Sequence, residues 1–96
     1  MNHRFIETEH NSKGAIKMWQ DETVIAELTF SRINEHNVIV DHTEVKPVAQ
    51  GTGAGKSIIE HFVKWARTNN QKVLPLCPFA KSIINKNESY HDILRK

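Results

Sequence analysis

The sequence is poor in cysteine, proline, glycine and net charge, and each shortage excludes a class of protein. One cysteine among 96 residues rules out an internal disulfide, while three prolines and four glycines rule out a collagen-like or proline-rich chain. No apolar run approaches the roughly 18 residues of a membrane helix, so we expect no membrane span. No apolar segment follows Met1, so we expect no secretory signal. Lysine and arginine exceed aspartate and glutamate by 13 to 11 without a basic stripe, so we expect no nucleic-acid partner.

The remaining composition, 39% apolar and 25% charged residues, is typical of one compact domain spanning residues 1–96. The six histidines are scattered along the sequence, and Cys77 is its one cysteine. A zinc site would need more closely spaced ligands and more cysteines, so we expect no metal site. An unpaired cysteine is typical of a reducing compartment, which predicts a cytoplasmic protein.

Hydrophobic periodicity predicts strands in the first half of the chain and helices in most of the second half. Apolar residues alternate with polar ones in four segments, residues 3–9, 15–20, 23–33 and 38–45. Short polar turns separate these segments, which predicts an antiparallel meander. Residues 11–14 supply the first turn, in which Gly14 is free to take a positive φ.

Helical spacing of apolar residues predicts a helix from about residue 53 to 68, followed by a short strand over residues 72–76. A strand that follows a crossover helix normally pairs in parallel with its predecessor. A short helix should begin at Cys77-Pro78, and a last one should run from Glu88 or Ser89 to Leu94 with Ser89 and Asp92 as a capping box. The sequence therefore predicts an α/β (α+β) domain with a mixed sheet.

A glycine-rich segment, Gln50-Gly51-Thr52-Gly53-Ala54-Gly55, separates the fourth predicted strand from the long helix. Glycine lets the backbone approach an anion closely, and the first N–H groups of a helix point toward it. One glycine would suffice to close a strand–helix corner, so three favour a phosphate or pyrophosphate ligand.

Two other nucleotide motifs fit this segment less well. Residues 53–57 resemble the end of a P-loop, but Gln50 stands where its first glycine belongs and no buried parallel strand precedes it. The dinucleotide motif needs G-x-G-x-x-G, whereas the chain has G-x-G-x-G. The P-loop resemblance nevertheless leaves one hypothesis open, a small nucleotide-binding protein that holds ATP and Mg²⁺ through Lys56 and Ser57.

The segment from Val45 through Pro47 to Gly55 resembles the acetyl-CoA signature of the GNAT N-acetyltransferases. The similarity is greatest to a subgroup of very small, single-domain members and covers about residues 3–95. It is carried by four segments: Asp41-His42-Thr43, Gln50-Gly51-x-Gly53-x-Gly55, Cys77-Pro78-Phe79-Ala80-Lys81 and Ser89-Tyr90-x-Asp92. The resemblance implies a four-stranded meander, a glycine turn and helix, a fifth parallel strand and one or two short C-terminal helices.

The resemblance also implies that acetyl-CoA lies in the V between the splayed fourth and fifth strands. The residues it assigns to acetyl-CoA binding are Val45, Gln50, Gly51, Thr52, Gly53, Ala54, Gly55 and Lys56. Val45 would lend main-chain hydrogen bonds to the pantetheine arm, and the others would surround the pyrophosphate.

Cys77 and His42 are the candidate catalytic residues. A cysteine before a helix has a lowered thiol pKa, so Cys77 could accept the acetyl group or protonate the departing CoA; a small buried core residue is the alternative. Strand alternation places His42 and Glu44 on one face, with Asp41 and Thr43 on the other. His42 could serve as a base, or as a hydrogen-bonded residue that fixes the strand splay.

The general-acid tyrosine of many GNAT enzymes would fall near Ile83 or Ile84, so it is absent here; Tyr90 is its substitute or a core residue. The helices that usually join the first two strands are missing too, which predicts an open acceptor side. We therefore expect an N-acetyltransferase whose amine acceptor is unidentified, a protein lysine, a peptide N-terminus or a polyamine. The alternative is a non-catalytic CoA- or acyl-CoA-binding module that needs neither Cys77 nor His42.

Overall fold

The strands and helices of the computed structural model, which describes residues 3–95, follow the predicted order. The strands are β1 (His3–His10), β2 (Lys13–Gln20), β3 (Thr23–Asn34), β4 (Asn37–Val45) and β5 (Lys72–Pro75). The helices are α1 (Ala54–Thr68) and α2 (Pro78–Lys86), and single 3-10 helices span Pro47–Ala49 and Glu88–Ile93.

The five strands form one sheet in the order β1-β2-β3-β4-β5. The first four are antiparallel and β5 is parallel to β4, which confirms the predicted mixed sheet. Helix α1 makes the parallel connection and packs across β2, β3 and β4. Its buried side chains are Ile58, Ile59, Phe62, Val63 and Ala66, and the sheet presents Ile16, Met18, Leu28, Phe30, Val38 and Val40 to them.

The opposite face of the sheet is open: within residues 3–95, no helix packs on it. A two-residue turn at Asn11 and Ser12 joins β1 directly to β2, so no helix is inserted between them. The face carries ion pairs between neighbouring strands, such as Lys17 with Glu27 at 3.8 Å. The helix face holds the core, and the open face is available to a ligand or partner.

The first turn corrects the expectation for Gly14. The positive φ values belong to Asn11 (51°) and Ser12 (66°), whereas Gly14 lies inside β2 without one. A Cβ atom on Gly14 would overlap the ring of Phe30. Gly14 therefore does not use its freedom to take a positive φ, and it is needed for a close approach of the aromatic core to the strand.

The 3-10 helix Glu88–Ile93 does not have the predicted capping box. Asn87, not Ser89, caps it: the Asn87 side-chain oxygen accepts from the Ser89 N–H at 3.1 Å and from the Ser89 hydroxyl at 2.6 Å. Asp92 instead forms a bidentate ion pair with Arg67 on α1, at 2.8 and 2.9 Å. This pair fastens the last turn to α1.

None of the helices within residues 3–95 is both long enough and apolar enough to cross a membrane.

Candidate functional site

The two parallel strands separate halfway along β4. Their pairing runs from Asn37 to Val40, whose carbonyl accepts from the N–H groups of both Leu76 and Cys77 at 3.2 Å. Beyond Val40, β4 continues to Val45 without a strand on that side. The splay thus leaves a gap with Cys77 at its apex.

Backbone groups of β4 point into this gap. The Lys46 N–H donates to the Ile25 carbonyl in β3 at 2.9 Å. Because successive residues of a strand direct their N–H and C=O groups to opposite sides, those of Val45 and Thr43 face away from β3. The free half of β4 can therefore pair with an extended ligand as though it were another strand.

A β-bulge decides which side chains of β4 face Cys77. Phe30 pairs with Val40 and Thr29 with His42, so Asp41 is an extra residue in β4. Strict alternation from Val40 would place His42 on the helix face, but the bulge gives that position to Thr43.

Within this arrangement, the predicted grouping of His42 with Glu44 agrees with the strand register, but that of Asp41 with Thr43 is wrong. Asp41 accepts a hydrogen bond from Ser31 on the open face at 2.6 Å. The extra residue of a bulge changes the alternation, so Asp41 lies on the same side as His42 rather than Thr43.

The glycine turn combines two left-handed residues with a row of free N–H groups. Gly51 has a φ of 81° and Gly53 a φ of 89°, and Gly53 is the residue before α1. Of the described residues 3–95, the turn includes five whose N–H groups donate no hydrogen bond: Gly51, Gly53, Ala54, Gly55 and Lys56. Such a row at the positive end of a helix dipole is suited to binding an anion.

Gly55, the third glycine of the segment, permits close packing rather than an unusual backbone conformation. Gly55 is buried in the first turn of α1, and a Cβ atom there would overlap the ring of Phe79 and lie 3.4 Å from Val45. Because Gly55 has no side chain, α1 can approach β4 and α2 closely at this position. Two glycines therefore shape the backbone, and Gly55 permits packing.

A cavity of about 550 Å³ lies over this turn. Its lining residues are Val45, Ala49, Gln50, Gly51, Thr52, Gly53, Ala54, Gly55, Lys56 and Phe79. All eight residues expected to bind acetyl-CoA line it, and its volume is within the range of small-molecule sites. The amide of Gln50 donates to the Val45 carbonyl at 3.3 Å, which ties the turn to the end of β4.

Cys77 lies between this cavity and the splay, in a setting that favours the thiolate. Burial raises the pKa of its thiol, but hydrogen bonds from the Ala80 N–H, the Thr43 hydroxyl, the Phe79 N–H and the Thr43 N–H outweigh burial and lower the pKa. Its Sγ lies 3.6 Å from Thr43 Oγ1, and the residue is only 6% exposed. Cys77 is thus shielded from solvent: its thiol donates to the Thr43 hydroxyl, and its thiolate can accept from that hydroxyl and from three backbone N–H groups.

His42 does not meet Cys77. It is exposed on the open face and, within residues 3–95, its ring makes no hydrogen bond, so it does not fix the splay in the way the alternative hypothesis required. It acts on Glu44 through charge, since His42 contributes to lowering the pKa of Glu44 after the larger effect of Lys46. The two candidate catalytic residues therefore face the gap from opposite sides of the sheet.

Tyr90 lines a second cavity, of about 480 Å³, between α1 and α2. Of the residues that line these two cavities, Lys56 alone lines both, and Cys77 lines neither. Tyr90 and Cys77 therefore share neither cavity. Within residues 3–95, no group of three or more His, Cys, Asp and Glu residues is arranged to hold a metal ion.

Sequence reasoning missed two residues of the site, Thr43 and Phe79. Thr43 was assigned to a strand face without a role, because no local pattern reveals the bulge. Phe79 was read as part of a short helix, yet its ring closes one wall of the cavity. Its place in the Cys77-Pro78-Phe79 segment was the available signal.

Comparison with known proteins identifies this architecture. The sequence model described as GCN5-related N-acetyl-transferase matches residues 15–93 of this chain. Comparison with curated proteins gives no match.

Several solved structures share the fold. A GCN5-like protein from Staphylococcus aureus, determined by NMR, is 30% identical, with a TM-score of 0.68 over 94% of this chain and 87% of that one. A ribosomal-protein-alanine N-acetyltransferase from Brucella melitensis is 18% identical, with a TM-score of 0.65 over 91% of this chain and 64% of that one.

A GNAT family acetyltransferase from Elizabethkingia anophelis, solved with acetyl-CoA bound, is 12% identical, with a TM-score of 0.61 over 67% of this chain and 42% of that one. The chain thus spans less than two thirds of the Brucella and Elizabethkingia proteins, but most of the staphylococcal one.

Proposed function

Because this chain belongs to the GCN5-related N-acetyltransferase family, we propose that it transfers the acetyl group of acetyl-CoA to an amine. The observation that carries the proposal is the continuity of two features: the edge of β4 that carries the Thr43 carbonyl and the Val45 N–H, and the free N–H groups of Gly51, Gly53, Ala54, Gly55 and Lys56. The first suits the amides of a pantetheine arm, and the second suits a pyrophosphate. One extended ligand that contains both groups is acetyl-CoA.

Cys77 acts as the nucleophile in this proposal. Its thiolate attacks the thioester carbonyl, the bond between the acetyl carbon and the CoA sulfur breaks, and CoA leaves as a thiolate that takes up a proton. The lowered pKa of Cys77 supports this role, because a nucleophile needs the thiolate whereas an acid needs the thiol. The amine then attacks the acetyl-Cys77 thioester and regenerates the Cys77 thiolate.

His42 serves as the base for the second step. Helices cover one face of the sheet, so the amine approaches the gap from the open face, where His42 is exposed beside the free half of β4. It takes the proton that the attacking nitrogen loses and passes it to solvent. Access from this side suits a bulky acceptor, and a protein or peptide amine is the class we favour.

The lone cysteine also bears on location. A Cys77 nucleophile must stay reduced, and a cytoplasmic location supplies the reducing conditions. We therefore propose a cytoplasmic location for the protein.

Titration with CoA, followed by backbone amide shifts, tests the binding step. We expect shifts at residues 50–56 and at Thr43 and Val45, with ATP and Mg²⁺ as the control that leaves them unchanged. Unmoved amides with CoA would overturn the proposal.

Acetyl-CoA turnover with a panel of peptide, lysine and polyamine acceptors, measured as free thiol released, tests the reaction. Amine-dependent thiol release is the expected result. Tight CoA binding without release with any acceptor would instead favour the non-catalytic CoA-binding module.

A further inference from the structure

The open face of the sheet carries an apolar patch at its β4–β5 end, formed by Ile39, Leu74 and Leu76. Ile39 pairs with Leu74 across the parallel strands and with Ser31 across the antiparallel ones. Paired residues project to the same side of a sheet, and Ser31 bonds to Asp41 on the open face. Ile39 and Leu74, both half-buried, therefore lie side by side on that face.

Leu76 extends this apolar patch to the gap between β4 and β5. Its N–H donates to the Val40 carbonyl at 3.2 Å, which is the next bond of the parallel ladder, so its side chain projects to the same side as that of Leu74. The exposures agree with this alternation, since Leu76 is 60% exposed and Cys77 is buried. Leu76 thus lies on the open side of the gap, directly before the Cys77 thiol in the chain.

The two sides of the gap differ in chemistry. On the β4 side, the open face carries Asp41 and His42, both exposed. On the β5 side, residues 72–76 include no acidic residue, and their one charge, Lys72, is at the opposite end of the segment from the gap. A group that enters the gap from the open face therefore meets polar side chains on one side and apolar side chains on the other.

The position of the apolar patch determines what covers it, because an amine that reaches Cys77 from the open face has to pass beside Leu76. A polyamine carries a positive charge every few atoms, and the β5 side offers it no carboxylate. A peptide, in contrast, can direct its amine toward His42 while an apolar side chain lies on Leu74 and Leu76. Contact of that kind removes apolar surface of both molecules from water.

We infer that Ile39, Leu74 and Leu76 form an acceptor subsite, which selects peptides with an aliphatic or aromatic side chain next to the residue that bears the amine. This inference rests on the proposed function, since it requires an amine that reaches Cys77 through the gap. It narrows the acceptor to apolar peptide segments and disfavours polyamines.

Two pairs of synthetic peptides test the binding step, one pair with a free α-amine and one pair capped at both ends with a single lysine. Within each pair, the residue next to the amine-bearing one is leucine or serine. In the CoA-bound protein, a leucine peptide should shift the methyl signals of Ile39, Leu74 and Leu76, and its serine partner should not. Unmoved methyl signals with both leucine peptides would overturn the inference.

Acetyl transfer to the same peptides, with spermidine as the polyamine, tests selectivity. For at least one pair, kcat/KM should be about tenfold higher for the leucine peptide, through KM rather than kcat. Leu76→Ser should reduce this ratio nearly to one, while the rate of Cys77 alkylation by iodoacetamide shows whether the thiol itself is disturbed. Thermal unfolding of each variant verifies that it is folded.

Ile6→Ser is the matched control for Leu76→Ser. Ile6 is 45% exposed and pairs with Lys17, which forms its ion pair with Glu27 on the same open face. It lies on β1, at the opposite edge of the sheet from β5. The preference for leucine peptides should therefore persist in this variant.

Equal kcat/KM for leucine and serine peptides in both pairs would overturn the inference and leave the proposed function intact. So would faster transfer to spermidine than to any peptide, or a loss of preference in Ile6→Ser as large as in Leu76→Ser. Transfer to no amine by a protein that binds CoA would overturn the proposed function as well.

Discussion

The Sγ atom of Cys77 lies 3.6 Å from the Oγ1 atom of Thr43, across the gap where β4 and β5 separate. The contact joins the residue before α2 to the free half of β4. It exists because the bulge at Asp41 turns Thr43, rather than His42, toward the helix face. The hydroxyl and the N–H of Thr43 both contribute to lowering the pKa of the Cys77 thiol.

Thr43→Val should therefore raise the pKa of Cys77, because valine keeps the shape of threonine without its hydroxyl. The rate of alkylation by iodoacetamide follows the thiolate, and Cys77 is the only cysteine in the sequence. In the wild-type protein, the half-maximal rate should occur at a lower pH than for an unperturbed thiol, and in Thr43→Val it should move to higher pH. Intact-mass measurement over a pH series gives both profiles.

The control for this experiment is Thr43→Ser, which retains the hydroxyl and should keep the wild-type profile. Identical profiles in Thr43→Val and the wild-type protein would show that the backbone donors alone set the thiol pKa.

Cys77→Ala should reduce acetyl transfer by about 100-fold or more, because no other thiol can form the covalent intermediate. Affinity for CoA should remain close to that of the wild-type protein, since Cys77 does not line the glycine-turn cavity. When the wild-type protein is incubated with acetyl-CoA but no amine, acetyl-Cys77 should accumulate. Intact-mass measurement should show it as the addition of one acetyl group. Full turnover in Cys77→Ala would assign Cys77 to core packing.

His42→Gln should lower kcat/KM for the amine by about 100-fold, the usual contribution of a positioned base. The KM for acetyl-CoA should not change, because His42 lies on the open face and outside the cavity. His10→Gln serves as the control, since it removes an exposed histidine at the far end of β1. Equal activity of both variants would remove His42 from the mechanism.

Gly14→Ala and Gly55→Ala make the same change at two close approaches, with different expected results. At Gly14, the new methyl group overlaps the buried Phe30, whose ring lies 4.7 Å from that of Trp65, so unfolding free energy should fall by about 1–3 kcal/mol. At Gly55, it overlaps Phe79, which is 43% exposed and can move. Urea unfolding should therefore show a smaller loss for Gly55→Ala.

The displaced Phe79 ring has to enter or reshape the glycine-turn cavity, so Gly55→Ala should weaken CoA binding measured by calorimetry. Gly14→Ala should bind CoA normally at temperatures where it is folded, since Gly14 is far from that cavity in the sheet. Wild-type affinity in Gly55→Ala would show that Phe79 can move without affecting the ligand.

Much of this fold follows from local patterns. The meander, the long helix and the parallel fifth strand could be predicted because period-2 and period-3.6 repeats of apolar residues report directly on strands and helices. The glycine turn could also be predicted locally, since the positive φ values of Gly51 and Gly53 are backbone conformations that glycine adopts readily. Family resemblance supplied the ligand, which periodicity does not reveal.

Errors arose where a residue's role depends on which other residue it contacts. Gly14 could not be understood without knowing that Phe30 lies over it, and the cap at Asn87 could not be separated from one at Ser89 because both spacings occur in the same six residues. Each depends on a contact that sequence spacing does not encode.

The sequence by itself determined that this is a small mixed-sheet domain with a glycine-rich turn before its long helix, because those properties depend on short-range repeats and on glycine. Only the tertiary structure decided that Thr43 faces Cys77 while His42 faces the open side, since one bulge residue at Asp41 reverses the alternation of β4. It also decided that a second cavity lies beside the glycine turn, because that cavity exists only where α1 and α2 pack together.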